Sequence, residues 1–158
     1  MDLNSALPRT SSVCEASVDI EQLLTDGKRI QISPQGFSMY PLFIPGRDSA
    51  ILEQVPLSTL RRGDVVLYRR PGSILVLHRI CRIQKNGFYL VGDNQWEIEG
   101  PLHADQIRAK LIAVRRNGKT FSVKNPLYRI LTGLWLWMLP LRPLCFRVSA
   151  ALKKGLHK

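Results

Sequence analysis

The hydrophobic pattern of this chain changes period twice. In Asp19-Ile20-Glu21-Gln22-Leu23-Leu24 the apolar positions are 20, 23 and 24, a short helical stripe that Gly27 is placed to stop. Arg29-Ile30-Gln31-Ile32 then alternates with period two, as a strand does. From residue 49 to residue 123 the pattern is β. Ala50-Ile51-Leu52-Glu53-Gln54-Val55 and Val65-Val66-Leu67-Tyr68 are strand-like, with a turn between them at Arg61-Arg62-Gly63-Asp64. Pro71-Gly72 marks another turn, and residues 74–83 are a β-branched run broken by charges at 79 and 82. Asn86-Gly87 and Asn117-Gly118 are strong hairpin signals. The first joins that run to Phe88-Tyr89-Leu90-Val91, and the second joins residues 107–114 to Thr120-Phe121-Ser122-Val123. Short strands at close spacing predict a mainly β fold of coiled antiparallel sheets or a small barrel.

The second change comes at Asn125-Pro126. Residues 130–141 read ILTGLWLWMLPL, without a charge, closely flanked by Arg129 and Arg142. A spanning helix needs about 20 residues, so this run is too short to cross comfortably. Tryptophans with flanking arginines suit a helix lying in the lipid headgroup zone. The competing reading packs Leu134, Trp135 and Trp137 onto the domain core. Pro140 and Pro143 would kink or end the helix. Residues 144–158 resume as a basic amphipathic stretch, with Phe146, Val148, Ala151 and Leu152 set against Arg147, Lys153 and Lys154. The chain thus divides into an N-terminal segment with a short helix (1–28), loosely ordered over 1–16, a β domain (29–124) and a basic, apolar, membrane-associating helical tail (125–158).

Charge sharpens the reading of that tail. At 158 residues and 45% apolar, the chain has the size and composition of one domain with a real core. Its net charge of +11 is unevenly placed: residues 1–107 hold 11 Lys+Arg and 12 Asp+Glu, whereas residues 108–158 hold 12 Lys+Arg and no acid. Such an asymmetry points to a polyanion, either a lipid surface or nucleic acid. Only residues 17–26 look helical ahead of the β region, which leaves no room for a helix-turn-helix, and the tail's tryptophans favour an anionic membrane over nucleic acid. MDLNSALPRTSSVCEASVDIEQ is polar and acidic and lacks the apolar run of a signal peptide. The chain is therefore expected on the cytoplasmic side of the membrane, held peripherally, or in the cytoplasm. Cys14, Cys81 and Cys145 are odd in number and far apart, without CxxC spacing or a histidine at zinc-ligand distance. No disulfide framework, metal or cofactor is expected.

Candidate chemistry centres on Gly36-Phe37-Ser38-Met39-Tyr40-Pro41-Leu42-Phe43, where one small polar residue stands among apolar neighbours. A serine hydroxyl is a poor nucleophile until a base takes its proton. Of the histidines, His157 is near the C-terminus and His103 lies in a polar loop. His78 lies mid-strand in Leu75-Val76-Leu77-His78-Arg79-Ile80, where burial would keep it neutral, the state a general base needs. A base also needs a group to fix its tautomer, usually a carboxylate. Asp93, in Val91-Gly92-Asp93-Asn94, follows the strand predicted to pair with that of His78. Pairing across Asn86-Gly87 with 85 opposite 88 would put 80 opposite 93. By composition alone, Gly92-Asp93-Asn94 reads as a plain turn rather than a catalytic carboxylate.

Four segments occur in order: Gly36-x-Ser38-Met39-x-Pro41, Arg62-Gly63-Asp64-Val65-Val66, His78-Arg79-Ile80 and Gly92-Asp93-Asn94. Together, over roughly residues 29–123, they resemble the type I signal peptidase and LexA-like peptidase superfamily. The resemblance implies Ser38 as nucleophile, Met39 and Gly36 at the substrate pocket, and Asp64 as a structural residue under the site. His78 stands where most bacterial members carry a lysine, which matches the Ser-His branch, and Asp93 matches that branch's carboxylate. In the family a serine often stands two residues before the nucleophile and helps the oxyanion hole. Here that residue is Gly36, so backbone N–H groups, chiefly that of Ser38, are left for that task. The second acid of the Ser-His branch has two candidates, Glu97 and Glu99. The expected function is a serine endopeptidase cutting a signal or leader peptide, with an extended peptide as substrate. The alternative is a non-catalytic peptidase-like module that binds anionic membrane. Self-cleavage ranks low, because no Ala-Gly pair precedes Ser38 in a linker.

Overall fold

A computed structural model describes residues 19–72 and 74–144. The expectations for residues 1–16, Cys14, Cys145, His157 and the amphipathic stretch after Leu144 lie outside these residues. Asp19 caps a short helix, α1 (Ile20–Thr25), by accepting from the Glu21 and Gln22 amides. Eight strands follow: β1 (Ile30–Ile32), β2 (Asp48–Glu53), β3 (Val65–Arg69), β4 (Leu75–Gln84), β5 (Gly87–Val91), β6 (Glu99–Leu102), β7 (Ile107–Arg116) and β8 (Lys119–Ser122). Helix α2 (Pro126–Trp137) and a 3-10 turn over Leu139–Leu141 end the described chain. Asn125 caps α2, and Pro126 occupies its first turn, where a missing N–H costs nothing.

The strands form one antiparallel sheet in the order β1-β2-β7-β3-β4-β5-β6, with β8 on β7. It is not closed into a barrel, which corrects one form of the fold expected from sequence. The reason lies at its edges. β1 has three residues, and β6 carries Gly100 and Pro101, so neither edge offers a long ladder for closure.

Alternation on β3 and β4 builds two cores. Val65, Leu67 and Leu77 pack with Leu24 of α1, Met39, Phe43, Leu52 and Leu111 in the larger one. Val66, Tyr68 and Ile80 turn the other way and pack with Leu60, Leu90 and Leu102. His78 and Arg79, consecutive on β4, are both fully buried polar residues, and alternation sends them to opposite faces.

The two Asn-Gly signals behave differently. Asn117 and Gly118 take φ of 48° and 76° between the paired Arg116 and Lys119, the turn expected of that dipeptide. In the other hairpin Gln84 pairs with Gly87, so the loop is Lys85-Asn86 and Gly87 begins the strand. A bulge at Cys81 then shifts the register, leaving Ile80 opposite Leu90 and Arg79 opposite Val91. Position 93 therefore does not face position 80, and Asp93 lies past the end of β5.

The core-packing reading of the tail holds in part. Leu136 of α2 is buried against Cys81 and Val91, and Trp135 Nε1 donates to the Asp93 carbonyl at 2.9 Å. Leu134 and Trp137 are exposed. No helix among the described residues is long and apolar enough to cross a membrane.

Candidate active site

Ser38 sits in the loop between β1 and β2. Gly36 leads into it with φ +78°, a left-handed conformation that favours glycine. Met39, expected to shape a substrate pocket, is instead 2% exposed and packed in the larger core. It is an anchor: the Met39 carbonyl accepts from the Phe43 amide at 2.8 Å, and Phe43 is buried beside it. Buried Asp48 ties down the rest of the loop, accepting from the Ile44 amide at 2.9 Å and pairing with Arg47 and Arg116. Arg116 also donates to the Leu42 carbonyl at 2.8 Å. Ser38 is left half-buried between Phe37 and Tyr40, both exposed.

His78 is 1% exposed. Its Nδ1 lies 3.2 Å from the Tyr68 hydroxyl and 3.3 Å from Glu99 Oε1. The Tyr68 hydroxyl donates its one proton to Glu99 Oε2 at 2.6 Å, so it presents a lone pair to the ring. A carboxylate also only accepts. Nδ1 faces two acceptors and therefore carries the ring proton, a tautomer assigned from its partners, and Nε2 keeps the basic lone pair. Arg70 fixes the carboxylate: its Nε donates to Glu99 Oε2 at 2.8 Å and its Nη2 pairs with Oε1.

The charges around this group pull in opposite directions. Burial lowers the His78 pKa, Glu99 opposes that, Arg70 adds to it, and Asp93 opposes it more weakly. The net result is an imidazole below its ordinary value and neutral at pH 7. Burial pushes Glu99 up, but hydrogen bonds from Arg70 and Tyr68 and the charge of His78 outweigh it, so its carboxyl stays below the ordinary value. Burial, and then the bond to Glu99, raise Tyr68 and keep it protonated.

Asp93, expected to orient His78, does something else. Its two oxygens accept from Arg79 Nε at 2.8 Å and Nη2 at 2.7 Å, with both side chains buried. Arg79 Nη1 reaches back to the Gly63 carbonyl at 2.7 Å. The carboxylate beside the imidazole is Glu99, one of the two candidates for a second acid. Glu97 has no such contact and is exposed. Asp64 plays the structural part expected of it. It accepts from the Arg61 amide and from Lys110 Nζ, each at 2.8 Å, and its carbonyl accepts from the Ile80 amide at 2.8 Å. His103 sits exposed at the start of a 3-10 turn.

The remaining link ties Ser38 to the turn after β5. The Ser38 carbonyl accepts from the Asn94 amide at 2.8 Å. Gly92, which follows the Arg79–Val91 pair, passes so close that a Cβ there would stand 2.7 Å from the Ser38 carbonyl oxygen and 2.5 Å from Gln95 Oε1. Gly92→Ala is expected to push these segments apart, lowering stability by about 1–3 kcal/mol through overpacking. Urea unfolding measures this, and an unchanged midpoint would contradict the close approach. The four sequence segments thus meet through hydrogen bonds: Ser38 to Asn94, Asp93 to Arg79, Arg79 to Gly63, Asp64 to Ile80.

Tyr68 and Arg70 were missed as site residues, although a signal for Tyr68 existed. The Pro71-Gly72 hairpin pairs Val66 with His78, so Tyr68, two positions along β3, shares the histidine's face. No family model, curated protein or solved structure matches the chain.

Proposed function

We propose that the chain is a serine endopeptidase that cuts a signal or leader peptide through an acyl-enzyme. The observation that carries this reading is the state of His78: a buried, neutral imidazole whose Nδ1 proton is held by Tyr68 and Glu99. It stands on the strand next to the turn that binds the Ser38 backbone. In this mechanism Ser38 Oγ attacks the peptide carbonyl. His78 Nε2 takes the hydroxyl proton and returns it to the leaving amine, and Glu99 stabilises the imidazolium in between. The Ser38 amide supports the developing oxyanion. Water, deprotonated by the same nitrogen, then releases the acyl group. The substrate is an extended peptide that adds to β1, an end strand of the sheet among the described residues and the one leading into the Ser38 loop. Exposed Phe37 and Tyr40 favour apolar side chains near the cut.

The pH profile tests the role of Glu99. The base works while neutral, so the acid limb of kcat/KM should have its midpoint below about 6.5. Glu99 raises the His78 pKa, so Glu99→Gln should move that limb to still lower pH. It should also reduce kcat by about 10²–10⁴-fold. A limb that stays in place would remove Glu99 from the mechanism. The same depressed pKa affects folding: stability is intact above about 6.5 and falls as pH drops toward the folded-state value, because the unfolded chain takes the proton first.

A non-catalytic module that binds membrane is the competing reading, favoured by the exposed apolar face of α2. It requires Ser38→Ala protein to retain full biological activity.

A further inference from the structure

Helix α2 has two faces with different partners. Its inner face grips the turn that holds Ser38: Trp135 donates to the Asp93 carbonyl, and the Tyr128 hydroxyl lies against Arg79. Arg142, just past the helix, is buried rather than facing a headgroup zone as its flanking position in the sequence suggested. Its Nη1 donates to the Gly92 carbonyl at 3.0 Å and the Gln95 carbonyl at 2.9 Å, and its guanidinium stacks 4.9 Å from the Trp135 ring.

The outer face carries Leu127, Ile130, Leu131, Leu134 and Trp137 at helical spacing, all exposed, Trp137 at 69%, and Leu141 of the following 3-10 turn is exposed as well. A contiguous apolar stripe of this extent calls for an occupant. A groove of ≈ 550 Å³ opens beside it, between α2 and Pro41-Leu42, and Phe121, Leu127 and Leu131 line it.

We propose that the outer face of α2 docks on an anionic lipid bilayer, lying in the headgroup zone. The stripe supplies the apolar contact, and Trp137 is the residue type favoured at that depth. Charge selects the occupant. From residue 108 onward every charged side chain is a cation, and Lys124 and Arg129 are exposed at the N-terminal end of the helix. A second copy related by a two-fold axis would set these cations against one another, whereas anionic headgroups neutralise them. Nucleic acid would satisfy the cations but leave the leucines uncovered. At twelve residues, α2 is about 18 Å long, so it lies on a bilayer and does not cross it. Docking does not depend on the peptidase reading. Where both hold, the membrane contact and the Ser38 turn share one helix, so the site works at the lipid surface.

The test is cosedimentation of the full chain with sucrose-loaded vesicles of phosphatidylglycerol and phosphatidylcholine, against vesicles of phosphatidylcholine alone. Binding is expected to the anionic vesicles and to weaken at high salt. Leu134→Glu with Trp137→Glu should weaken it by at least about tenfold. Both residues are exposed, so the thermal midpoint should hold. Should that variant fold poorly, Trp137→Phe gives a second reading: brominated lipid should quench part of the wild-type tryptophan emission, and the quenched part should be missing from the variant. Ser38→Ala protein, run in parallel, should bind as wild type does, which separates docking from catalysis. Absence of binding to the anionic vesicles would overturn the proposal, and so would equal binding by the double variant. A dimer in sedimentation equilibrium that the double variant dissolves would assign the face to a second copy instead. Duplex DNA binding lost in that variant, with vesicle binding intact, would overturn it as well.

Discussion

Ser38→Ala and His78→Ala should each remove the burst of nitrophenolate that the wild-type chain releases from nitrophenyl esters of apolar N-acyl amino acids. The burst reports an acyl-enzyme, which intact-mass measurement should locate on Ser38. Each replacement is expected to lower kcat by about 10⁶-fold, and the double replacement should be no worse, because nucleophile and base act as one unit. The residual rate comes from backbone donors and substrate binding alone. Loss of His78 also opens a cavity among Tyr68, Glu99 and the smaller core, so the rates are compared well below each variant's thermal midpoint. Additive losses would mean that the two side chains do not share a step. A burst that survives in Ser38→Ala would end the peptidase reading.

Asp93→Ala should destabilise the fold by about 3–5 kcal/mol, because it strands the Arg79 guanidinium with its charge buried and unpaired. Arg79→Ala should cost a similar amount, and urea unfolding should show the two losses to be strongly non-additive. Replacing both by apolar residues of matching volume should recover much of the loss, since desolvating two charges offsets most of their attraction. The pair also secures function indirectly. Arg79 joins Gly63 to Asp93, and the next residue, Asn94, holds the Ser38 carbonyl. An orienting role at the imidazole would give the opposite result, with Asp93→Asn leaving stability intact and reducing only kcat. That outcome would reject the structural assignment of the carboxylate.

Much of this was legible in the chain because period and turn chemistry are local signals. β1 follows from alternation, the strands from β2 to β5 together with β7 and β8 from strand-like runs between turn signals, and α1 from apolar residues at 20, 23 and 24. What was not legible depends on register and on unpromising composition. One bulge at Cys81 and a loop displaced by one residue moved Asp93 away from His78, and no sequence pattern announces either. β6 escaped notice because Glu99-Gly100-Pro101-Leu102 reads as a break in structure, yet this strand carries the carboxylate that meets the imidazole. Met39 was placed by motif and not by its surroundings. An apolar residue after a half-buried serine is as easily a core anchor, and the larger core encloses it.

The uneven ends of the sheet have a further consequence. Pro101 has no N–H to offer, and Gly100 beside it has φ +145°, so the outer rim of β6 is a poor template for another chain. Among the described residues β1 pairs with β2 alone. Of these two ends β1 is therefore the better template for an incoming segment, and its chain runs directly on to Ser38.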